Sequence, residues 1–333
     1  MSNDGDDDSV AAAPPDWRPT ASPERLRRRA ALLAATRAFF AARDVLEVDT
    51  PIAVLHAVTD VQLVSATAQL PGQRAPLALH TSPEYAMKRL LAAGLGDIYQ
   101  LCHVFRGDEQ GPLHAPEFML LEWYRCGWPM ARLMDEVEAL LRALLPGTLP
   151  AARRLTYREA LQRHAGCDPL DDTDAQLADC AVALGFDAAL VRALERDALL
   201  DLLMAARVGP QLGRGAPCFV HRYPASQAAL ARLDPDDGRV ALRFELYLEG
   251  VELANGFEEL ADPHEQRRRF AADRAHRARL GLPVPDIDER LLAALASGLP
   301  ACSGVALGFD RLLLLATGAR ELSEVQSFRT GEA

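Results

Sequence analysis

The chain has 333 residues, 49% hydrophobic and 25% charged, the balance of a globular protein large enough to bury a core without staples. Its net charge of −11 argues against a protein that grips long stretches of nucleic acid, and its six scattered cysteines form no C-x-x-C pair that would suggest a zinc or redox motif. No basic and apolar leader opens it and no apolar run approaches the ~20 residues of a membrane span, so a reduced, cytoplasmic protein is expected.

In chain order, residues 1–22 are acidic and Ala/Pro-rich, without periodicity, and predict a flexible tail. Ser22-Pro23-Glu24 then supplies an N-cap, a proline at the first helical position and a first-turn acid, which predicts a helix over 23–43. A short extended segment over 45–51 is stopped by Pro51. A strand is predicted at 77–80, a helix at 84–93 before Gly94, and strands at 97–106 and 118–125 joined by a polar loop. A helix follows at 130–145. Residues 150–212 are Ala/Leu-rich and predict a helical insertion broken at Gly166, Gly185 and Gly209.

Strands are predicted at 218–223 and 240–248, the second with Val240, Leu242, Phe244, Leu246 and Leu248 on one face and Arg243, Glu245 and Tyr247 on the other. A Glu249-Gly250 turn, helices at 264–280 and 287–296, a strand at 303–309 and a last helix from Asp310 complete the list. Antiparallel strands with helices set around them predict an α+β fold, with residues 23–333 as one domain. Neither a G-x-G-x-x-G turn nor a G-x-x-x-x-G-K-[ST] loop is present, so any nucleotide phosphates must be held by side chains. Nearly every cation is arginine and Lys88 is the only lysine, a bias that reads as base composition.

Three clusters carry chemistry. Arg106 ends one strand, and Phe118, Leu120, Glu122 and Tyr124 share a face of the next. By itself this fits a solvated face with a surface Arg–Glu pair. Glu245, Glu252, Asn255 and Glu259 flank one turn, as a negative rim or as carboxylates that share a divalent ion. Strict alternation sets Glu252 and Asn255 on opposite faces, so a shared site requires a bulge, expected near Asn255-Gly256. Residues 304–311 combine small residues with Asp310, placed to cap a helix, and Arg311; alone they fit a core strand and a capped helix.

Taken in order, these clusters resemble motifs 1, 2 and 3 of class II aminoacyl-tRNA synthetases. Val48-Asp49-Thr50-Pro51 after a helix resembles motif 1, the dimer-forming segment. Phe105-Arg106-Gly107-Asp108, His114-Ala115-Pro116-Glu117-Phe118 and Glu122-Trp123-Tyr124 resemble motif 2, and residues 304–311 resemble motif 3. Thr81-Ser82-Pro83-Glu84 and Glu252-Leu253-Ala254-Asn255-Gly256-Phe257-Glu258-Glu259-Leu260 are specifically similar to lysyl-tRNA synthetases. Only residues 1–22 precede the motif 1 helix, where a lysyl-tRNA synthetase carries its anticodon-binding domain. The stretches around His114 and Cys302 resemble the branch that lacks that domain, which joins (R)-β-lysine to a lysine side chain of elongation factor P.

The resemblance implies a class II catalytic core with an antiparallel sheet, ATP as co-substrate, Mg²⁺, a homodimer, elongation factor P as acceptor and no tRNA. Arg106 is expected on the α-phosphate and the substrate carboxylate, and Arg311 on the γ-phosphate and one face of adenine. The expected ATP site further includes Gly107, Asp108 at the adenine amino group, His114 at the outer phosphates, Phe118 stacked on adenine, Glu245, Leu246 and Gly308. Glu245 and Glu252 are expected to hold Mg²⁺. Ser82, Pro83, Glu84, Tyr124, Glu252, Asn255, Glu259 and Ala306 form the expected amino-acid site, with Glu84 at the amino group beside the carboxylate and Tyr124 and Glu259 at the distal ammonium. Ala306 stands where lysyl-tRNA synthetases carry glycine, and is expected to disfavour α-lysine. The competing readings are a truncated enzyme that activates α-lysine for tRNA or a small molecule, and a catalytically silent paralogue. Retention of Arg106, Glu245, Glu252 and Arg311 speaks against the latter.

Overall fold

The computed structural model describes residues 17–107 and 110–332, so most of the expected tail and Asp108 lie outside the described residues. The chain is held before Ser22: Thr20 donates its amide to the Ser327 carbonyl and Ala21 is buried. Ser22 Oγ accepts the Arg25 amide and starts α1 (Pro23–Ala41), which ends short of residue 43 where Asp44 turns left-handed at φ 54°. The extended segment after it contributes only β1 (Leu46–Glu47).

Three very short strands follow, β2 (Ala53–Val54), β3 (Thr67–Ala68) and β4 (Leu77–Leu79), in a small sheet ordered β2-β4-β3. Two-residue strands have no periodicity to read, which is why only β4 was expected. Then come α2 (Glu84–Ala92), β5 (Ile98–Phe105), β6 (Glu117–Cys126) and α3 (Met130–Leu144), all within a few residues of expectation.

The stretch expected to be wholly helical opens with a strand, β7 (Arg153–Thr156). Thr156 and Glu159 then form a reciprocal capping box that starts α4 (Tyr157–His164). Next come α5 (Asp174–Ala183), α6 (Ala188–Ala193) and α7 (Arg196–Leu203), packed around Tyr157, Leu161, Leu177, Leu200 and Val220. Gly209 is no chain-breaker; it lies in helical conformation, where a Cβ would come within 3.3 Å of Tyr247.

β8 (Cys218–Pro224), β9 (Val240–Leu248) and β10 (Val251–Glu258) follow, the last two joined by Glu249 and Gly250, both at positive φ as a tight hairpin requires. The chain ends with α8 (Pro263–Arg279), α9 (Glu289–Gly298), β11 (Cys302–Gly308) and α10 (Phe309–Thr317).

Eight strands form the main sheet in the order β1-β5-β6-β11-β10-β9-β8-β7. Its interior pairs are antiparallel, but β1 runs parallel to β5 and β7 parallel to β8, so the expected antiparallel sheet is mixed at both edges. In each parallel pair the connecting chain contains helix, α2 in one case and α4–α7 in the other, which gives the length a parallel return requires. Residues of α1, α3 and α10 cover one face, where Phe40, Leu133, Val137, Leu312 and Leu313 share a core with Leu121, Phe244 and Leu307. That leaves the polar residues of the central strands on the opposite face.

Candidate active site

Strand register builds the site. Gln100, Glu122, Ala306, Asn255, Glu245 and Val220 pair in sequence across six neighbouring strands and form one transverse row. The next row contains Ile98, Tyr124, Gly304, Phe257 and Arg243. Pairing shifts by one residue between Glu252 and Ala254, so the extra residue is Leu253 rather than one near Asn255-Gly256. That bulge returns Glu252 to the face of Asn255 and sends Leu253 into the core.

At one end lies a cationic cleft that includes Arg106, His114, Phe118, Glu252, Asn255, Ala306, Gly308 and Arg311. The Arg106 guanidinium lies 5.1 Å from the centre of the Phe118 ring, and the Arg106 amide donates to the Pro116 carbonyl at 2.9 Å. Arg311 is fixed by three donations: to Leu113 O at 3.2 Å, Glu252 O at 2.9 Å and His114 Nε2 at 2.9 Å. Gly107 donates to Val64 O at 2.8 Å, which folds the start of the loop against 60–64. Asp310 does not cap α10. It is buried and accepts from Arg29 at 2.5 Å, the Met119 amide at 3.1 Å and Gln326 at 2.9 Å, tying α1, β6 and the C-terminal segment to the base of Arg311.

Glu245 and Glu252 approach each other but are not equivalent. Both Glu245 carboxylate oxygens already accept, from Arg243 and from Tyr247 at 2.6 Å each. Glu252 keeps 41% of its side chain exposed, 3.8 Å from Arg311. Desolvation by the surrounding protein and the charge of Glu245 hold its carboxyl above the usual range. Among the described residues no three His, Cys, Asp or Glu side chains converge as a metal cage. Two hard oxygen donors beside a phosphate-sized cleft fit Mg²⁺, which takes few protein ligands and completes its shell with phosphate and water. Leu246 points away, buried against Phe219 and Phe244, so only its backbone remains on the strand that carries Glu245.

At the other end is a buried acidic cluster. Ser82 Oγ donates to Glu122 at 2.7 Å and accepts the Glu84 amide at 3.0 Å, while Pro83 stands at the N-cap of α2. Tyr124 OH donates to Glu122 at 2.6 Å. Lys88, which sequence reasoning passed over, bridges Glu84 at 2.7 Å and Glu259 at 2.6 Å and is 1% exposed. Its signal was its status as the chain's only lysine. Burial pushes Glu122 up to about 7, with the Glu84 charge adding to it. Burial also pushes Glu259 up to about 8, against the pull of Lys88. Burial alone would lower Lys88, but Glu259 and Glu84 overrule it and hold the ammonium charged. Gly304 makes room: a Cβ there would stand 2.3 Å from the Tyr124 ring and 2.6 Å from Glu259.

Apart from Asp108, outside the described residues, and the Leu246 side chain, the expected residues gather along one sheet face, the arginines with Glu245 and Glu252 at one end and Glu84 and Glu259 at the other, with Ala306 and Asn255 between. The chain matches the tRNA synthetases class II (D, K and N) over residues 15–331. The chain belongs to this family. It is 50% identical over 316 residues to a protein of Erwinia tasmaniensis named elongation factor P–(R)-beta-lysine ligase, covering 94% of this chain and 97% of that relative. Proteins of the same name from Hamiltonella defensa and Photorhabdus laumondii are each 49% identical, over 94% and 96% of this chain.

Proposed function

We propose that the chain is an ATP-dependent ligase that activates (R)-β-lysine as an acyl adenylate and transfers it to a lysine side chain of elongation factor P. The observation that carries this reading is the division of charge along one sheet face: Arg106 and Arg311 share a cleft, and Glu84, Glu122 and Glu259 lie in a buried pocket beside it. A substrate with one carboxylate and two ammonium groups matches that division. Its carboxylate would lie toward Arg106 and its ammonium groups among the acids.

In the first step a carboxylate oxygen attacks the α-phosphorus and pyrophosphate leaves. Charge that develops on the phosphate meets guanidinium donors already fixed in place, Arg311 by three hydrogen bonds. Phe118 offers a ring for adenine, with the Gly308 backbone and the Arg311 guanidinium nearby. Magnesium would neutralise charge between the phosphates; Glu252 would hold it, with Glu245 using lone pairs left by its two hydrogen bonds. In the second step the acceptor amine attacks the acyl carbon, AMP leaves, an amide forms and one proton is lost. Asp108 keeps its sequence-based role at the adenine amino group. Residues 23–333 act as one catalytic unit, the helices after β7 forming an appended lobe, and the acceptor, a translation factor, implies a cytoplasmic enzyme.

Pyrophosphate exchange with (R)-β-lysine and α-lysine tests the first step. Mass spectrometry of elongation factor P after incubation with enzyme, ATP and (R)-β-lysine tests the second. A β-lysyl mass increase is expected. Exchange with α-lysine alone, together with charging of tRNA, would replace this reading with the truncated-synthetase one.

A further inference from the structure

Lys88 does not touch the nucleotide cleft, and no step above uses it. We propose that Lys88 is a positioning residue whose ammonium holds Glu84 and Glu259 oriented and offsets part of the charge of the cluster, so that the pocket receives the two positive charges of its amino-acid substrate. This rests on the reading that this pocket takes the substrate's ammonium groups.

Fully ionised, Glu84, Glu122 and Glu259 bring three negative charges against the one positive charge of Lys88, leaving two for a diamino acid to neutralise. Burial holds Glu122 and Glu259 up at about 7 and 8, so the arriving ammonium groups draw the remaining protons off them. Without Lys88 the three carboxyls would lose their one fixed counter-charge and keep their protons to still higher pH. A protonated carboxyl no longer attracts an ammonium. Among the described residues the groups that act on the Lys88 ammonium are Glu84 on its own helix, Glu259 after β10, Glu122 on β6 and Cys302 on β11.

Composition points the same way. Of 36 basic residues this is the single lysine, in a chain that otherwise uses arginine, so a guanidinium has not been accepted here. The geometry explains it: a compact tetrahedral ammonium can bridge two carboxylates inside a space closed to solvent, whereas a planar guanidinium needs a wider slot. The pair spacing on α2, Glu84 and Lys88 at i and i+4, sets both partners on one helix face.

The single lysine makes the test direct. Selective ¹⁵N-lysine labelling of the full chain gives one side-chain ammonium signal. It is expected to shift on addition of (R)-β-lysine and to stay in place with a non-hydrolysable ATP analogue. In pyrophosphate exchange, Lys88→Met is expected to raise the KM for (R)-β-lysine by about tenfold or more, leave the KM for ATP within about twofold, and displace the pH dependence of the amino-acid KM toward higher pH. A folded Lys88→Met with unchanged amino-acid KM and pH profile overturns the proposal. Should Lys88→Met fail to fold, Lys88→Arg is measured instead, with the same selective rise expected and a wild-type KM overturning it. Glu84→Gln separates the two levels. If it leaves the amino-acid KM unchanged, the pocket reading falls with the proposal; if it raises the KM while Lys88 variants do not, only the role of Lys88 falls.

Discussion

Ala306 stands between Asn255 on β10 and Glu122 on β6, at the boundary between the cationic cleft and the acidic pocket. Its methyl is expected to limit the depth at which an amino acid lies, a difference worth about 1–3 kcal/mol between substrates one methylene apart. Ala306→Gly is expected to raise kcat/KM for α-lysine relative to (R)-β-lysine in pyrophosphate exchange; an unchanged ratio would remove Ala306 from specificity. The buried acids predict a pH signature as well. Glu122 and Glu259 titrate near 7 and 8 when folded against an ordinary 4.5, so their contribution to stability is present below about 4.5 and lost as pH rises through those values. The melting temperature of the ligand-free protein is therefore expected to gain a downward slope between pH 5 and 8, flattened in Glu259→Gln, as calorimetry across that range would record. At this scale Arg106, Arg311 and the named acids were legible because their order along the chain resembles a known set. Lys88 was not, because its i, i+4 spacing to Glu84 is that of any surface helix pair, and its meaning depends on α2 meeting Glu259 from 171 residues away.

At the scale of the element, the Leu253 bulge decides which face Glu252 occupies. The sequence required a bulge but pointed to Asn255-Gly256, since only the pairing of β10 with β9 shows that the count slips at Leu253. Glu252→Gln removes the charge of the carboxylate that the bulge turns into the cleft. Pyrophosphate exchange is then expected to fall by about 100-fold or more, the scale of removing a charge-stabilising group, while far-UV circular dichroism reports whether the sheet survives. Retained exchange in a folded variant would show that Glu252 is dispensable. Long strands such as β6 and β9 were legible through period-two alternation, and α1 through its cap and proline. The parallel edges were not, because direction at an edge depends on where a helical connection delivers the chain.

At the scale of the molecule, β1 is an edge strand of the main sheet, and Leu46, Ile52 and Leu55 around it are 51%, 38% and 58% exposed. An uncovered edge with apolar neighbours is a surface that proteins usually shield. A second copy of the chain is the occupant the motif 1 resemblance implies. Wild type is expected to run as a dimer in light scattering and Leu55→Arg as a monomer; a monomeric wild type at micromolar concentration would refute this. The solitary Lys88 has one more consequence. An enzyme that manufactures a reactive mixed anhydride aimed at amines risks labelling itself. Here every other cationic side chain is a guanidinium, and the one primary amine among them is sealed and clasped by two carboxylates. The catalyst thus presents no side-chain nucleophile of the kind it modifies, and can hold its activated product until a foreign amine arrives.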